Sequence, residues 1–291
     1  MGEGSMPPNL PPGFVPPRSM ERYLRQGSKV EVRVRPSAWF QADHTKTIVI
    51  DQKIGFTGGM NIGREYRYDW HDMMMEVQGP VLGELIYDFK LAWAHAGPWG
   101  DLGLVFAKKF KRHPQIQGDG VPVRLLYTKV GNPELYRVQL EAIRRAGTYI
   151  WINNAYFSDN VIINDLIRAR ERGVDVRVIL PSAGNHSIMN KNNAVTANLM
   201  FRNGIKVYFY PGMSHIKAAV YDGWLCAGSA NFDKLSLRDN LELNLATSDP
   251  ETVARFEQEL FQKDFERSQL MTGPIASDIS DFVANIVAQR L

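Results

Sequence analysis

Two separated stretches of this chain repeat one pattern, and that repeat limits its fold and chemistry more than any other feature. The first copy is His44-Thr45-Lys46, four further residues, Asp51, then Gly58-Gly59-Met60-Asn61. The second is His215-Ile216-Lys217, four further residues, Asp222, then Gly228-Ser229-Ala230-Asn231. The interval from Asp to Gly is one residue shorter in the second copy, which predicts a tighter turn there. On an extended strand, residues i and i+2 share a face. Each copy therefore presents an imidazole beside an ammonium, while Thr45 or Ile216 turns into packing. The glycines let backbone approach closely, and each Asn adds an amide.

Two such units facing one another supply what a phosphodiester needs. A neutral imidazole attacks phosphorus, and a protonated one delivers a proton to the departing alcohol. Lysines and amides hold the phosphoryl oxygens while charge redistributes. The candidate catalytic set is His44, Lys46, Asp51, His215, Lys217 and Asp222. Lys46, Asn61, Lys217, Ser229 and Asn231 are candidate phosphate ligands. Asp51 and Asp222 each close a strand before a turn, so they serve either the chemistry or the turn. The two histidines are expected to face across one cleft, with the motif strands side by side about a pseudo-two-fold axis. The sequence holds no His/Cys or carboxylate cluster with metal-ligand spacing, and no metal or cofactor is expected.

Periodicity places these motifs in an α/β fold: two halves with mixed, mainly parallel sheets flanked by helices. Residues 1–19 are rich in proline and read as an unstructured arm. Residues 20–120 form a first half, 121–270 a second, and 271–291 an amphipathic C-terminal helix. In the first half the pattern predicts a short helix at Met20–Gln26, strands at Val30–Val34 and His44–Asp51, and a helix at Val81–His95. In the second it predicts strands at Val123–Tyr127, Tyr149–Asn153, Val174–Leu180, Ile205–Tyr210, Ile216–Tyr221, Trp224–Ala227 and Leu241–Ala246. Helices fall at Pro133–Arg145, Val161–Arg172 and Pro250–Glu266, with one more between Leu180 and Ile205. Asp222-Gly223 is a hairpin signal.

Composition narrows the setting. A net charge of +3 over 291 residues does not demand a nucleic-acid partner. The single cysteine, Cys226, excludes an intramolecular disulfide and sits in an apolar context that predicts a buried thiol. The sequence has no membrane-spanning apolar run, signal-peptide pattern or myristoylation signal. Membrane contact is expected to be peripheral, and the location cytoplasmic or at the inner face of the cytoplasmic membrane. Among the remaining histidines, His71 is a candidate pocket residue and His186 a candidate substrate contact, while His95 and His113 read as structural or solvated.

The paired motifs resemble the HKD signature of the phospholipase D superfamily, over about Met20 to Ser268. Within it the chain is most similar to bacterial cardiolipin synthases. The matching segments are Gly58–Glu65, Asn154–Phe157, Gly228–Asp233, Ser236–Arg238 and Asn240–Asn244. The resemblance implies phosphatidyl transfer through a phosphohistidine, with His44 as nucleophile and His215 as general acid. It also implies a carboxylate that orients each histidine, for which Glu76 and Glu242 are the candidates. The substrate would be a phospholipid, phosphatidylglycerol or cardiolipin. Two alternatives are a hydrolase or nuclease of the same superfamily, with Lys108, Lys109, Lys111 and Arg112 as a basic groove, and a non-catalytic lipid-binding subunit. Only 43 residues precede His44, so the first half is expected to be truncated, and the protein to be a dimer or to need a completing partner.

Overall fold

The computed structural model describes residue 15 and residues 17–34, 42–97, 120–129 and 131–276. Most of the proline-rich arm, the basic run Phe106–His113 and residues 277–291 of the expected C-terminal helix lie outside the described residues, and residues 271–276 are not helical. The chain divides into two compact units, each built from non-contiguous segments. One contains residues 1–40, 47–55 and 77–118, and the other residues 41–46, 56–76 and 119–291. His44 and Lys46 thus belong to the same unit as the second motif.

The smaller unit holds helix α1 (Met20–Arg25), capped by the Ser19 hydroxyl, which accepts from the Arg22 amide at 3.2 Å. It also holds β1 (Thr47–Ile50) and α3 (Val81–His95). Strands β2 (Ile54–Gly58) and β3 (Met74–Gln78) complete a three-stranded sheet in the order β1-β2-β3. Helix α2 (Arg64–Tyr68) lies between them in sequence. A Cβ on Gly55 would meet Leu82 at 2.6 Å, so this glycine lets α3 lie close to the strand. The β1–β2 turn spans Asp51, Gln52 and Lys53, with Asp51 and Gln52 both at positive φ. Val30–Val34 is not a strand. Val30 and Val34 are 51% and 53% exposed, and the segment is tied down by side chains instead. Arg33 stacks on Trp93 at 4.4 Å and donates to the Trp93 carbonyl at 2.7 Å. Among the described residues no strand pairs with Val30–Val34.

The larger unit is built on a nine-stranded sheet. Its strands are β4 (Arg124–Lys129), β5 (Asn132–Pro133), β6 (Tyr149–Asn154), β7 (Asp175–Pro181), β8 (Lys206–Tyr210), β9 (Lys217–Tyr221), β10 (Trp224–Gly228), β11 (Glu242–Thr247) and β12 (Gln269–Leu270). Their order is β12-β8-β7-β6-β9-β10-β11-β4-β5. The sheet is mixed, as expected, but parallel pairing is confined to β6, β7 and β8. The reason is local: the β9–β10 hairpin enters antiparallel to β6, and β11 and β4 follow antiparallel in turn.

Helices α4 (Glu134–Arg145), α5 (Asn160–Glu171) and α6 (Ser187–Arg202) supply the buried residues Ile143, Leu166 and Met200 to one core. The same core takes Ile150, Ile152, Val176, Val178 and Ala219 from the strands. The opposite parity, with Trp151, Ile179, Ala218 and Val220, packs on Val253, Phe261 and Phe265. Period-two alternation thus divides β9 between two apolar layers, and all five of its residues are buried. The helix expected over Pro250–Glu266 is interrupted: α7 (Pro250–Phe256) passes through a π-helical turn (Glu257–Gln262) into α8 (Lys263–Arg267).

Asp222 and Gly223 turn the β9–β10 hairpin with φ of 46° and 81°, the two positive values a type I′ turn requires. The Asp222 carboxylate accepts from the backbone amides of Gly147, Thr148 and Tyr149 at 2.7, 3.1 and 2.7 Å. Of the two roles open to it, these contacts match the turn role: Asp222 fastens the start of β6 to the far end of β9. Asp51 sits in the matching turn of the first motif and belongs to the smaller unit. Asp222→Ala strands three amides and is expected to lower stability by about 2 kcal/mol. Urea denaturation of the variant measures this, and an unchanged midpoint would refute the assignment.

Candidate active site

Backbone pairing brings the two motifs into one unit. The His44 amide donates to the Leu241 carbonyl at 2.9 Å, and the Leu241 amide to Ala42 at 3.0 Å. His44 therefore lies beside the start of β11. The His215 amide donates to the His71 carbonyl at 2.7 Å, and the His71 amide to Met213 at 2.9 Å. Segment 71–72 is thereby fixed against the entry to β9.

Each histidine engages a buried carboxylate through Nδ1. His44 Nδ1 lies 2.9 and 3.0 Å from the two carboxylate oxygens of Glu242, whose side chain is fully buried. His215 Nδ1 lies 2.7 Å from Asp72 Oδ2, also fully buried. Each lysine folds back on its own motif: Lys46 Nζ donates to the His44 carbonyl at 2.6 Å, and Lys217 Nζ to the His215 carbonyl at 2.7 Å. The same set of contacts occurs in both copies.

Glu242 lies where the sequence placed a histidine-orienting carboxylate. Glu76 does not: it is exposed on β3, and Asp72 occupies the position beside His215. The sequence held a signal for Asp72. It follows Gly58 by 14 residues, as Glu242 follows Gly228. The structure shows why that interval recurs. A Cβ on Gly58 would lie 2.5 Å from the Met73 carbonyl, and one on Gly228 would lie 2.3 Å from the Leu243 carbonyl. The next residues, Gly59 and Ser229, donate to those same carbonyls, each at 3.1 Å. Each glycine thus admits the segment that carries the carboxylate. Gly59 is equally confined, because a Cβ there would come within 2.5 Å of Asp72 Oδ1.

The candidate phosphate ligands divide. Lys46 and Lys217 are buried beside the histidines. The buried Asn231 Oδ1 has no hydrogen-bond partner. Asn61 donates to the Tyr66 hydroxyl at 2.8 Å. Ser229 turns away from a phosphate role: its hydroxyl donates to Glu242, and it accepts from the Leu243 amide at 3.0 Å. Its function is to hold the carboxylate that holds His44.

Around this centre, the rings of Tyr66 and Trp70 stand 5.3 and 5.5 Å from that of His215. Asn192, Asn193 and Thr196 of α6 pin the backbone of Ala155 and Phe157 through bonds of 2.8, 2.9 and 3.0 Å. His71 points elsewhere: Nε2 lies 2.9 Å from buried Asp264, and its ring stacks on Tyr210. His186 lies beside Tyr156, with ring centroids 6.0 Å apart.

Burial dominates the electrostatics. It lowers Lys46 to about 8 against the opposing pull of Glu242, Asp72 and Asp43. It lowers Lys217 to about 7, opposed by Asp72 and assisted by Lys46. Burial pushes the Asp72 carboxyl up to about 6, opposed first by Lys217. Burial also holds His215 well below the usual imidazole range, with Lys217, His44 and Lys46 adding to the effect. Burial therefore disfavours the imidazolium form of His215 beside Asp72.

An anion entering this site favours the charged lysines, so its binding draws protons from solution near pH 8. Because both lysines deprotonate as pH rises through 7 to 8, affinity falls toward pH 9. Sulfate does not titrate in this range and is the probe. Calorimetry in buffers of different ionisation enthalpy should show proton uptake at pH 8. A binding heat independent of buffer would show that the lysines stay charged.

The family described as "Cardiolipin synthase, PLD-like domain" matches residues 140–264. Cardiolipin synthase A of Pseudomonas putida KT2440 is 31% identical over 280 residues, covering 90% of this chain and 56% of that protein. Cardiolipin synthase A of Pseudomonas fluorescens SBW25 is 32% identical over 285 residues, covering 91% and 56%. The chain thus spans about half the length of these relatives. The crystal structure of phosphatidylserine synthase from Haemophilus influenzae shares the fold, with a TM-score of 0.65 at 11% identity over 87% of this chain and 72% of that one. The chain is thus similar to bacterial cardiolipin synthases over 90% of its own length, and residues 140–264 match their phospholipase D-like domain.

Proposed function

We propose that this chain transfers a phosphatidyl group between phospholipid headgroups, in the manner its cardiolipin synthase relatives' names describe. The observation that carries the reading is the pair of imidazole–carboxylate dyads, each with a buried lysine two residues beyond its histidine, gathered in one unit. With Nδ1 committed to a carboxylate, Nε2 is the nitrogen available to phosphorus or to a proton.

In the first step one histidine's Nε2 bonds to phosphorus, and the phosphorus–oxygen bond to the headgroup alcohol breaks. The other histidine, as imidazolium, gives its proton to the departing oxygen. In the second step that histidine takes a proton from the acceptor hydroxyl. The acceptor oxygen bonds to phosphorus, and the first histidine leaves. Phosphatidylglycerol as both donor and acceptor yields cardiolipin and glycerol, whereas water as acceptor yields hydrolysis. Lys46 and Lys217 hold the phosphoryl oxygens throughout. Such substrates place the protein at a bilayer surface, and no described helix is long and apolar enough to cross one.

Family resemblance assigns attack to His44 and proton delivery to His215. One observation favours the reverse. Burial, with Lys217 and Lys46 nearby, lowers the affinity of His215 for a proton, which suits a nucleophile, while the His44 side chain is 28% exposed. Quenching each histidine-to-alanine variant during turnover of a labelled phosphodiester with a good leaving group decides between them. The variant that retains a covalent adduct has lost the acid. Failure of both variants to trap label, together with retained turnover, would sink the two-histidine mechanism.

The orienting carboxylates give a second test. Asp72→Asn is expected to lower kcat by about a hundred- to ten-thousand-fold, because the amide cannot stabilise an imidazolium or fix its tautomer. Glu76→Gln should stay within about twofold of the parent. Equal loss in the two variants would return the orienting role to Glu76.

A further inference from the structure

The segment from Met60 to Trp70 joins the first motif to α2 and carries side chains that the chemistry above does not use. Ile62, one residue beyond Asn61, is 98% exposed. Tyr68 is 68% exposed, and the guanidinium carbons of Arg64 and Arg67 lie over its ring at 5.8 and 5.4 Å. At the other end of the segment, Trp70 packs with Met189 against a cluster of Ala155, Tyr156 and Met213 while touching His215. Ile188, next to Met189 in sequence, is also exposed.

We propose that the Met60–Tyr68 segment is an interfacial anchor: Ile62 enters the outer layer of a phospholipid bilayer and holds the site at the level of the lipid phosphates. The groups of the segment support this occupant. An exposed aliphatic tip stands next to interleaved arginines and tyrosines, Arg64, Tyr66, Arg67 and Tyr68, the residue types that suit the phosphate and interfacial layers above an acyl chain. Asp69 ion-pairs with Arg64 at 2.9 Å, and the Glu65 carboxylate lies close to Gly63, within 2.9 Å of where a Cβ there would sit. Acidic and basic groups of the segment therefore balance, and apolar burial rather than net charge leads the contact. Binding through this anchor is accordingly resistant to salt. The anchor also explains why so apolar a residue follows the motif directly: the phosphodiester stays tethered to its acyl chains, so the site has to meet the membrane plane.

This inference rests on the phospholipid reading of the site, and the experiment separates the two. Co-sedimentation with vesicles of phosphatidylcholine and phosphatidylglycerol is measured for the parent chain, Ile62→Glu and Ile62→Trp. Turnover of monomeric dihexanoyl-phosphatidylglycerol is followed in parallel. Ile62→Glu should bind vesicles about tenfold more weakly or worse, and Ile62→Trp at least as tightly as the parent. Both variants should keep turnover of the monomeric substrate within about twofold. Equal vesicle binding by the parent and Ile62→Glu overturns the anchor. So does a lipid-free dimer that Ile62→Glu dissociates, which would assign the tip to a second copy of the chain. Absence of turnover on monomeric substrate by the parent sinks the catalytic reading, while the vesicle arm still decides the anchor.

Discussion

Two hydrogen-bonded pairs, His44 with Glu242 and His215 with Asp72, are the interactions on which the rest of the larger unit depends. Each carboxylate is fully buried, and an unpaired charge there would be costly. Each is therefore compensated from two sides. Glu242 receives the Ser229 hydroxyl as well as His44, and Asp72 receives the Met73 amide at 2.8 Å as well as His215. Because the partners come from segments far apart in sequence, the pairs cannot form until β9, β10 and β11 are assembled beside residues 42–46 and 71–72. The site and the fold close together.

The glycines at 58, 59 and 228 set how closely those segments approach. Backbone or carboxylate atoms occupy the space where their side chains would begin. A carboxylate delivered at such short range is rigidly placed, and a preorganised site requires that. The cost appears in the lysines, which are held below their usual range by the same enclosure. A site with two lysines poised near neutrality gains charge when an anion arrives, so ligand and protons are coupled.

A second network supports the first. Buried Asp264, carried by α8, accepts from Asn153 at 2.8 Å and pairs with His71. Asn153 in turn accepts from Ser214 at 2.9 Å. His71 and Ser214 flank Asp72 and His215 in sequence, so the helix that covers one face of the sheet also fixes the backbone on which a dyad stands. The Asp222 carboxylate does similar work at the opposite end of β9.

The sequence by itself determined the motifs and most of the elements. Matched residues at matched intervals identify His44, Lys46, His215 and Lys217, and hydrophobic periodicity identifies the strands from Arg124 to Thr247 and their helices, because these signals are local. It did not place Val30–Val34, where alternation without a partner strand yields no strand. It also overstated parallel pairing, because strand direction is set by neighbours distant in sequence. Tertiary structure decided which polar residues do what. Asp222 reads as part of a catalytic motif until its three amide partners are visible, Ser229 as a phosphate ligand until Glu242 is beside it. Glu76 reads as the orienting carboxylate until Asp72 is seen beside His215. Only the close packing permitted by Gly58 brings Asp72, and not Glu76, against His215, since hydrogen bonding depends on distances that strand register fixes and local sequence does not.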